Sequence, residues 1–169
     1  MKNILYLLTL LSTQLLLSQS NEIKARIEFE DAEKYFSDAN YNEALTHLNN
    51  AQKLIGSWNH KISYMKIMCY DAIVNYNDWD QSLKILDEEV LVYMTYADKN
   101  SNNVNTDKFR KIYEIDKKIE VTKKINQWSE MLTFKEANQA LENKNYTIVL
   151  KLYRKAADNG NGLAMDKIG

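Results

Sequence analysis

From Asn21 onward the apolar positions recur every three or four residues, the spacing of a helix buried along one face. Ile27, Ala32, Tyr35, Phe36 and Ala39 form a first run, and Tyr41, Ala44, Leu45, Leu48, Ala51 and Leu54 a second. Between them Asp38-Ala39-Asn40 is a polar break with room only for a tight turn, so the two runs read as an antiparallel helical hairpin. Gly56 stands where a C-terminal cap belongs, and Asn59 reads as the N-cap of the next helix. A second pair begins near Ser63, turns at Asn77-Asp78-Trp79 and continues through Ser82, Leu83 and Leu86. In a third, Ala137 and Ala140 precede a turn over residues 142–145, followed by Tyr146, Val149, Leu150, Tyr153 and Ala156.

Composition strengthens the helical reading. The 169 residues hold no proline and only 4 glycines, which argues against a β-sandwich or barrel, whose turns need both. In a helix interior proline costs about 3 kcal/mol and glycine about 1. The expected fold class is therefore all-α, at a length suited to one domain. With 22 basic against 23 acidic side chains, net charge gives no support to a nucleic-acid surface.

Residues 1–20 read as a secretory signal peptide. Met1-Lys2-Asn3 is a short positive start, and residues 4–17 are apolar apart from Thr9 and Ser12-Thr13-Gln14. Ser18 and Ser20 take the −3 and −1 positions of a cleavage site before Asn21. A membrane-spanning helix needs about 20 apolar residues, and this run is shorter and interrupted. No cysteine follows it, so a lipid anchor has no attachment point. The chain holds 19 Lys, 3 Arg and 19 Asn, the bias of an AT-rich genome. With the leader, that bias points to an exported bacterial protein, periplasmic or secreted.

The stretch over 32–56, AEKYFSDANYNEALTHLNNAQKLIG, resembles a tetratricopeptide repeat, a helix–turn–helix unit of about 34 residues. Ala32 matches the small residue of that family's first helix, Tyr41 its turn aromatic, and Ala44 and Ala51 the small residues of its second helix. Small side chains are needed where the helices approach closely, and a large one costs about 1–3 kcal/mol. In the second pair Trp79 takes the turn position, while Tyr70 and Glu89 replace small residues. In the third, Ala137, Tyr146 and Ala156 match. The stretch over 152–169, LYRKAADNGNGLAMDKIG, is similar to the Sel1-like variant through Lys155-Ala156-Ala157, Gly160-Asn161, Ala164 and Ile168-Gly169. The resemblance implies a helix–turn–helix solenoid of about three pairs plus linking helices. Its parts would be a leader over 1–20, repeat-like pairs over 21–97, an Asn-rich loop over 98–106, a linking helix over 107–127 and a tetratricopeptide/Sel1-like repeat over 128–169. Residues 162–169 read as only the start of a further helix. Either they fold back on the third pair or the chain is the front part of a longer repeat protein, and the second reading is favoured.

Little in the sequence points to chemistry. Asp38-x-Asn40-x-Asn42 imitates the opening of a calcium loop, but Glu43 stands where the sharp turn needs glycine and Asn49 where the last carboxylate belongs. His47 and His60 lack His-x-x-x-His or Cys-x-x-Cys spacing. His47 reads as the solvent side of its helix and His60 as a first-turn residue. Cys69, the single cysteine, reads as a buried small hydrophobe, and Asp87, Glu88 and Glu89 as a solvated helix face. No nucleophile elbow, phosphate loop or dinucleotide fingerprint occurs. The helix after residue 107 carries Phe109, Ile112, Ile115, Ile119 and Ile125 among many lysines. Glu114, Asp116 and Glu120 dilute the field that a nucleic-acid strip would need, so it reads as one apolar stripe with a solvated face. The expectation is no enzyme, no cofactor and no metal.

In the tetratricopeptide family the first helices of successive pairs line a groove that binds peptides or extended segments. Carried onto this sequence, the groove positions are Arg26, Phe29, Glu33 and Phe36, then Tyr64, Ile67 and Asp71, then Met131, Phe134 and Asn138. Aromatics beside Arg and Asn are the mix a recognition surface uses. The alternative places Phe29 and Phe36 in the core between paired helices. The resemblance thus implies an exported, non-enzymatic scaffold for a protein or peptide partner, with no nucleic acid and no membrane insertion after leader removal. Two alternatives stand beside it: a self-associating structural module, and the helical N-terminal region of a longer multidomain protein.

Overall fold

A computed structural model describes the backbone of residues 2–169 and the side chains of residues 20–169. The regular structure of these residues is helical throughout: α1 (Lys2–Ser37), α2 (Tyr41–Ile55), α3 (His60–Ile73), α4 (Gln81–Lys99), α5 (Thr106–Glu130), α6 (Leu132–Glu142), α7 (Tyr146–Asp158) and α8 (Gly162–Ile168). The chain is all-α. Among the described residues no helix is long and apolar enough to cross a membrane. The side chains on which the leader reading rests, residues 1–19, lie outside those described.

The chain forms two compact units. One ends at Val74 and resumes over Ile85–Tyr113, and the other takes Asn75–Lys84 and Glu114–Gly169. In the first, α1 packs on α2 and α2 on α3. Ala32, Ala44 and Ala51 are fully buried there, and with Leu48, Ile62 and Cys69 they form a core flanked by Phe29, Tyr35, Phe36 and Tyr41. Alanine at three such positions lets the helix backbones approach closely, a space that larger side chains would force open. In the second unit, α6 packs on α7 and α7 on α8 around Phe134, Ala137, Tyr153, Ala156 and Ala164. A 3-10 turn at Ser101–Asn103 joins α4 to α5.

The turns of the α1/α2 and α6/α7 hairpins are near copies, displaced by 105 positions. Ala39 (φ 57°) and Lys144 (φ 56°) both take the left-handed conformation. The N–H of Asn40 donates to the Tyr35 carbonyl and that of Asn145 to the Ala140 carbonyl, each at 2.9 Å. The N–H groups of Ala39 and Lys144 donate to the carbonyls of Phe36 and Leu141 at 3.0 and 2.9 Å. This crossed pair of bonds is the Schellman closure of a helix C-terminus. It repeats at Gly160 (φ 83°), where α7 ends. Gly56 (φ 71°) ends α2, and the Asn59 side chain accepts the N–H groups of Lys61 and Ile62 to start α3.

Several expectations are corrected. Ile27 is 51% exposed and Ile125 42%, so neither belongs to the apolar stripe assigned to it, and Leu150 stays 44% exposed. Tyr146, expected at a packing position, is 66% exposed, although its counterpart Tyr41 lies against Phe36 with ring centroids 5.5 Å apart. On the preceding helix, position 141 of the third hairpin is a leucine where Phe36 offered a ring. The Asn-rich connection is shorter than 98–106, because α4 runs through Lys99 and α5 starts at Thr106. Two of its asparagines bond to the flanking helix ends: Asn100 Nδ2 donates to the Tyr96 carbonyl of α4 at 2.8 Å, and Asn105 Oδ1 accepts the Lys108 N–H of α5 at 2.9 Å. The linking helix extends over Thr106–Glu130 rather than 107–127. Glu89 is not simply solvated, because it accepts from Ser63 Oγ at 3.0 Å and lies 3.7 Å from Lys66 Nζ.

Candidate binding cleft

In the first unit α1, the end of α2 and the start of α3 enclose a cleft of about 340 Å³. Ala25 and Phe29, one helical turn apart on α1, meet Ile62 of α3 as its apolar lining. Ala25 and Ile62 are almost completely buried, so their apolar area belongs to the fold, and Phe29 is half-buried. Glu22, Arg26 and Lys61 bring charge of both signs, and Ile55 and Asn59 line it at the α2–α3 connection. Arg26 lies 3.7 Å from Glu30 with both side chains well exposed. An exposed pair of that kind holds weakly, at about 0–1 kcal/mol, and leaves the guanidinium open to exchange partners.

The structure divides the expected groove residues into two groups. Arg26 and Phe29 line the cleft. Glu33 is exposed further along α1, and Tyr64 and Asp71 are half-buried on α3. Ile67 is fully buried and Phe134 is 7% exposed within the core of the second unit, 5.9 Å from the Tyr153 ring. Neither is a surface residue, which corrects their assignment to partner binding. Burying a large apolar side chain contributes roughly 1.5–3 kcal/mol, and these two have no polar end to keep in water. Phe36 and Met131 are half-buried against the two cores. Asn138 accepts from Tyr153 Oη at 2.7 Å, which satisfies that buried tyrosine.

His47 does not face solvent as expected. Its ring stacks on Tyr35 at 5.1 Å, and its Nδ1 lies 2.8 Å from Glu28 Oε2, joining α2 to α1. This hydrogen bond, supported by one from Asn50, holds the Glu28 carboxyl below its ordinary range. Cys69 is fully buried, and burial pushes its thiol up to about 11. Among the described residues no group of three or more His, Cys, Asp or Glu side chains converges as metal ligands would.

Sequence reasoning missed a second, more enclosed space of about 100 Å³ between α3, α4 and the start of α5. His60, Lys61 and Tyr64 line it from α3, Tyr93 and Tyr96 from α4, and Asn103, Asn105 and Lys108 from the connection and α5. The His60 ring stacks on Tyr96 at 5.2 Å, which also meets Trp58 at 4.9 Å. Lys108 Nζ stands 4.8 Å from the centre of the Tyr64 ring. Burial, then Lys61 and Lys108, lower the His60 pKa, and burial raises those of Tyr64 and Tyr93. The only signal in the sequence is the i, i+3 spacing of Tyr93 and Tyr96, which core packing explains equally well. No family model, curated protein or solved structure matches the chain.

Proposed function

We propose that the protein is an exported, non-enzymatic helical repeat of tetratricopeptide type that binds an extended segment of another protein in the α1/α3 cleft. The observation that carries the reading is the cleft itself, with an apolar lining of Ala25, Phe29 and Ile62 beside Glu22, Arg26 and Lys61. An extended peptide offers what such a surface takes: apolar side chains for the lining, and charged or backbone groups for its polar members. The repeat reading draws support from the two hairpin turns, whose displacement of 105 positions is close to three units of about 34 residues. Their small residues correspond as well, Ala32 with Ala137 and Ala51 with Ala156.

The test selects extended peptides on the full chain by display and measures their binding by calorimetry. Phe29→Ser and Arg26→Glu are each expected to weaken a selected peptide at least about tenfold, roughly 1.4 kcal/mol, with the circular dichroism spectrum unchanged. Equal binding by both folded variants would reject the cleft. A mass that rises with concentration, lowered by Leu132→Lys or Tyr146→Lys, would favour self-association instead. That alternative rests on Leu132 and Tyr146, which are 71% and 66% exposed.

A further inference from the structure

We propose that the pocket between α3, α4 and the start of α5 binds a compact tetrahedral oxyanion, phosphate or sulfate, through Lys61, Lys108 and His60. Charge favours an anion here. These three residues line one enclosed space, and no lining residue is acidic. Two lysines share this space with a partly buried imidazole, and burial first, then the charges of Lys61 and Lys108, lower the proton affinity of His60. An anion between them is attracted by both lysines in surroundings less polar than water.

Donor chemistry favours it as well. The lysines offer several N–H donors, and Asn103, Asn105, Tyr64 and Tyr93, which also line the space, carry amide N–H and phenolic O–H donors. A tetrahedral oxyanion carries more acceptor oxygens than a carboxylate and can use this many donors at once. The nearby helix starts are not the source of recognition. Asn59 Oδ1 already accepts the N–H groups of Lys61 and Ile62, and Asn105 Oδ1 accepts that of Lys108. Side chains are left to make the contacts, and the Tyr64 ring holds the Lys108 ammonium at the pocket.

The space, about 100 Å³ and more enclosed than the α1/α3 cleft, is of a scale that suits one compact anion. Lys61 also lines the α1/α3 cleft, whereas Lys108 does not. A Lys108 variant therefore tests this site independently of the peptide reading.

The chain contains only two histidines, so both ring titrations can be followed by NMR in the intact protein. His60 faces Lys61 and Tyr64 of its own helix, Tyr93 and Tyr96 of α4 and Lys108 of α5, and His47, held by Glu28, serves as the control. Titrations are run in chloride, sulfate, inorganic phosphate and acetate at equal ionic strength, and sulfate has no titration of its own between pH 5 and 8. The expected result is that sulfate and phosphate raise the His60 pKa by about one pH unit and leave His47 in place. Lys108→Gln is expected to abolish the rise and Lys108→Arg to keep it. Sulfate is also expected to raise the melting temperature of the parent and the Arg variant but not of the Gln variant. Identical His60 curves in chloride and sulfate would overturn the proposal. So would equal movement of both histidines, or an acetate effect as large as that of sulfate. O-phosphoserine binding more tightly than inorganic phosphate would make a phosphate ester the source, and the reverse order would make it a free anion; both support an oxyanion site.

Discussion

Partial burial sets the protonation chemistry of single residues here. Burial, Lys61 and Lys108 lower the pKa of His60 in the folded chain below the unfolded value near 6.5. The unfolded state therefore binds the proton more readily. The His60 contribution to stability is present above the unfolded value and is lost as pH falls through the lowered folded one. Glu28 follows the same sign at lower pH, because its hydrogen bond to His47 favours the ionised carboxyl. Denaturant melts between pH 7 and 5 are expected to show stability falling with pH. His60→Phe, which keeps a ring against Tyr96, is expected to flatten that slope. A slope unchanged by the substitution would assign the loss to other groups. None of this was legible in the sequence, where His60 and Lys61 are visible but Lys108 is a distant residue on another helix.

At the scale of the elements, the hairpin turns carry the strain. Ala39 and Lys144 are non-glycine residues at φ 57° and 56°, at positions where Schellman closures usually place glycine. The left-handed region costs an L-residue roughly 1–2 kcal/mol, partly offset by the greater freedom that glycine has when unfolded. Ala39→Gly and Lys144→Gly are each expected to stabilise the chain by about 1 kcal/mol in urea melts. Destabilisation by both would mean that the two turns are not closed in this way. Gly162, by contrast, is set by packing. A Cβ there would stand 2.5 Å from two ring atoms of Trp128, and its neighbour Asn161 is fully buried with its amide donating to the Trp128 carbonyl. The turns, the Gly56 and Asn59 caps and the buried alanines were all readable beforehand, because each is a local requirement on one residue type. The exposure of Tyr146 was not, because it depends on what the neighbouring helix places beside it.

At the scale of the whole molecule, the units are not contiguous in sequence. Asn75–Lys84 belongs with Glu114–Gly169. Within that second unit Thr122 Oγ1 donates to the Tyr76 carbonyl at 2.6 Å, and the Lys118 and Lys123 ammonium groups lie over the Tyr76 and Trp79 rings at 5.2 and 5.5 Å. Thr122→Val in the full chain, which removes the hydrogen bond to the 75–84 segment, is therefore expected to melt at lower temperature than the parent. Equal melting temperatures would show that this bond to the 75–84 segment contributes nothing to the unit.

The sequence by itself determined the all-α class, the turns of the first and third hairpins, the buried alanines beside them and the buried character of Cys69. Each follows from periodicity, from the absence of proline and from the side-chain volume tolerated at a close approach, and all of these are local properties. Only the tertiary structure decided that Ile67 and Phe134 are core while Arg26 and Phe29 line a cleft, and that His47 answers to Glu28. It also decided that Lys61 and Lys108 share a pocket with His60. These depend on which helix faces are covered and on charges brought together across 47 positions of chain, and short-range spacing carries no record of either.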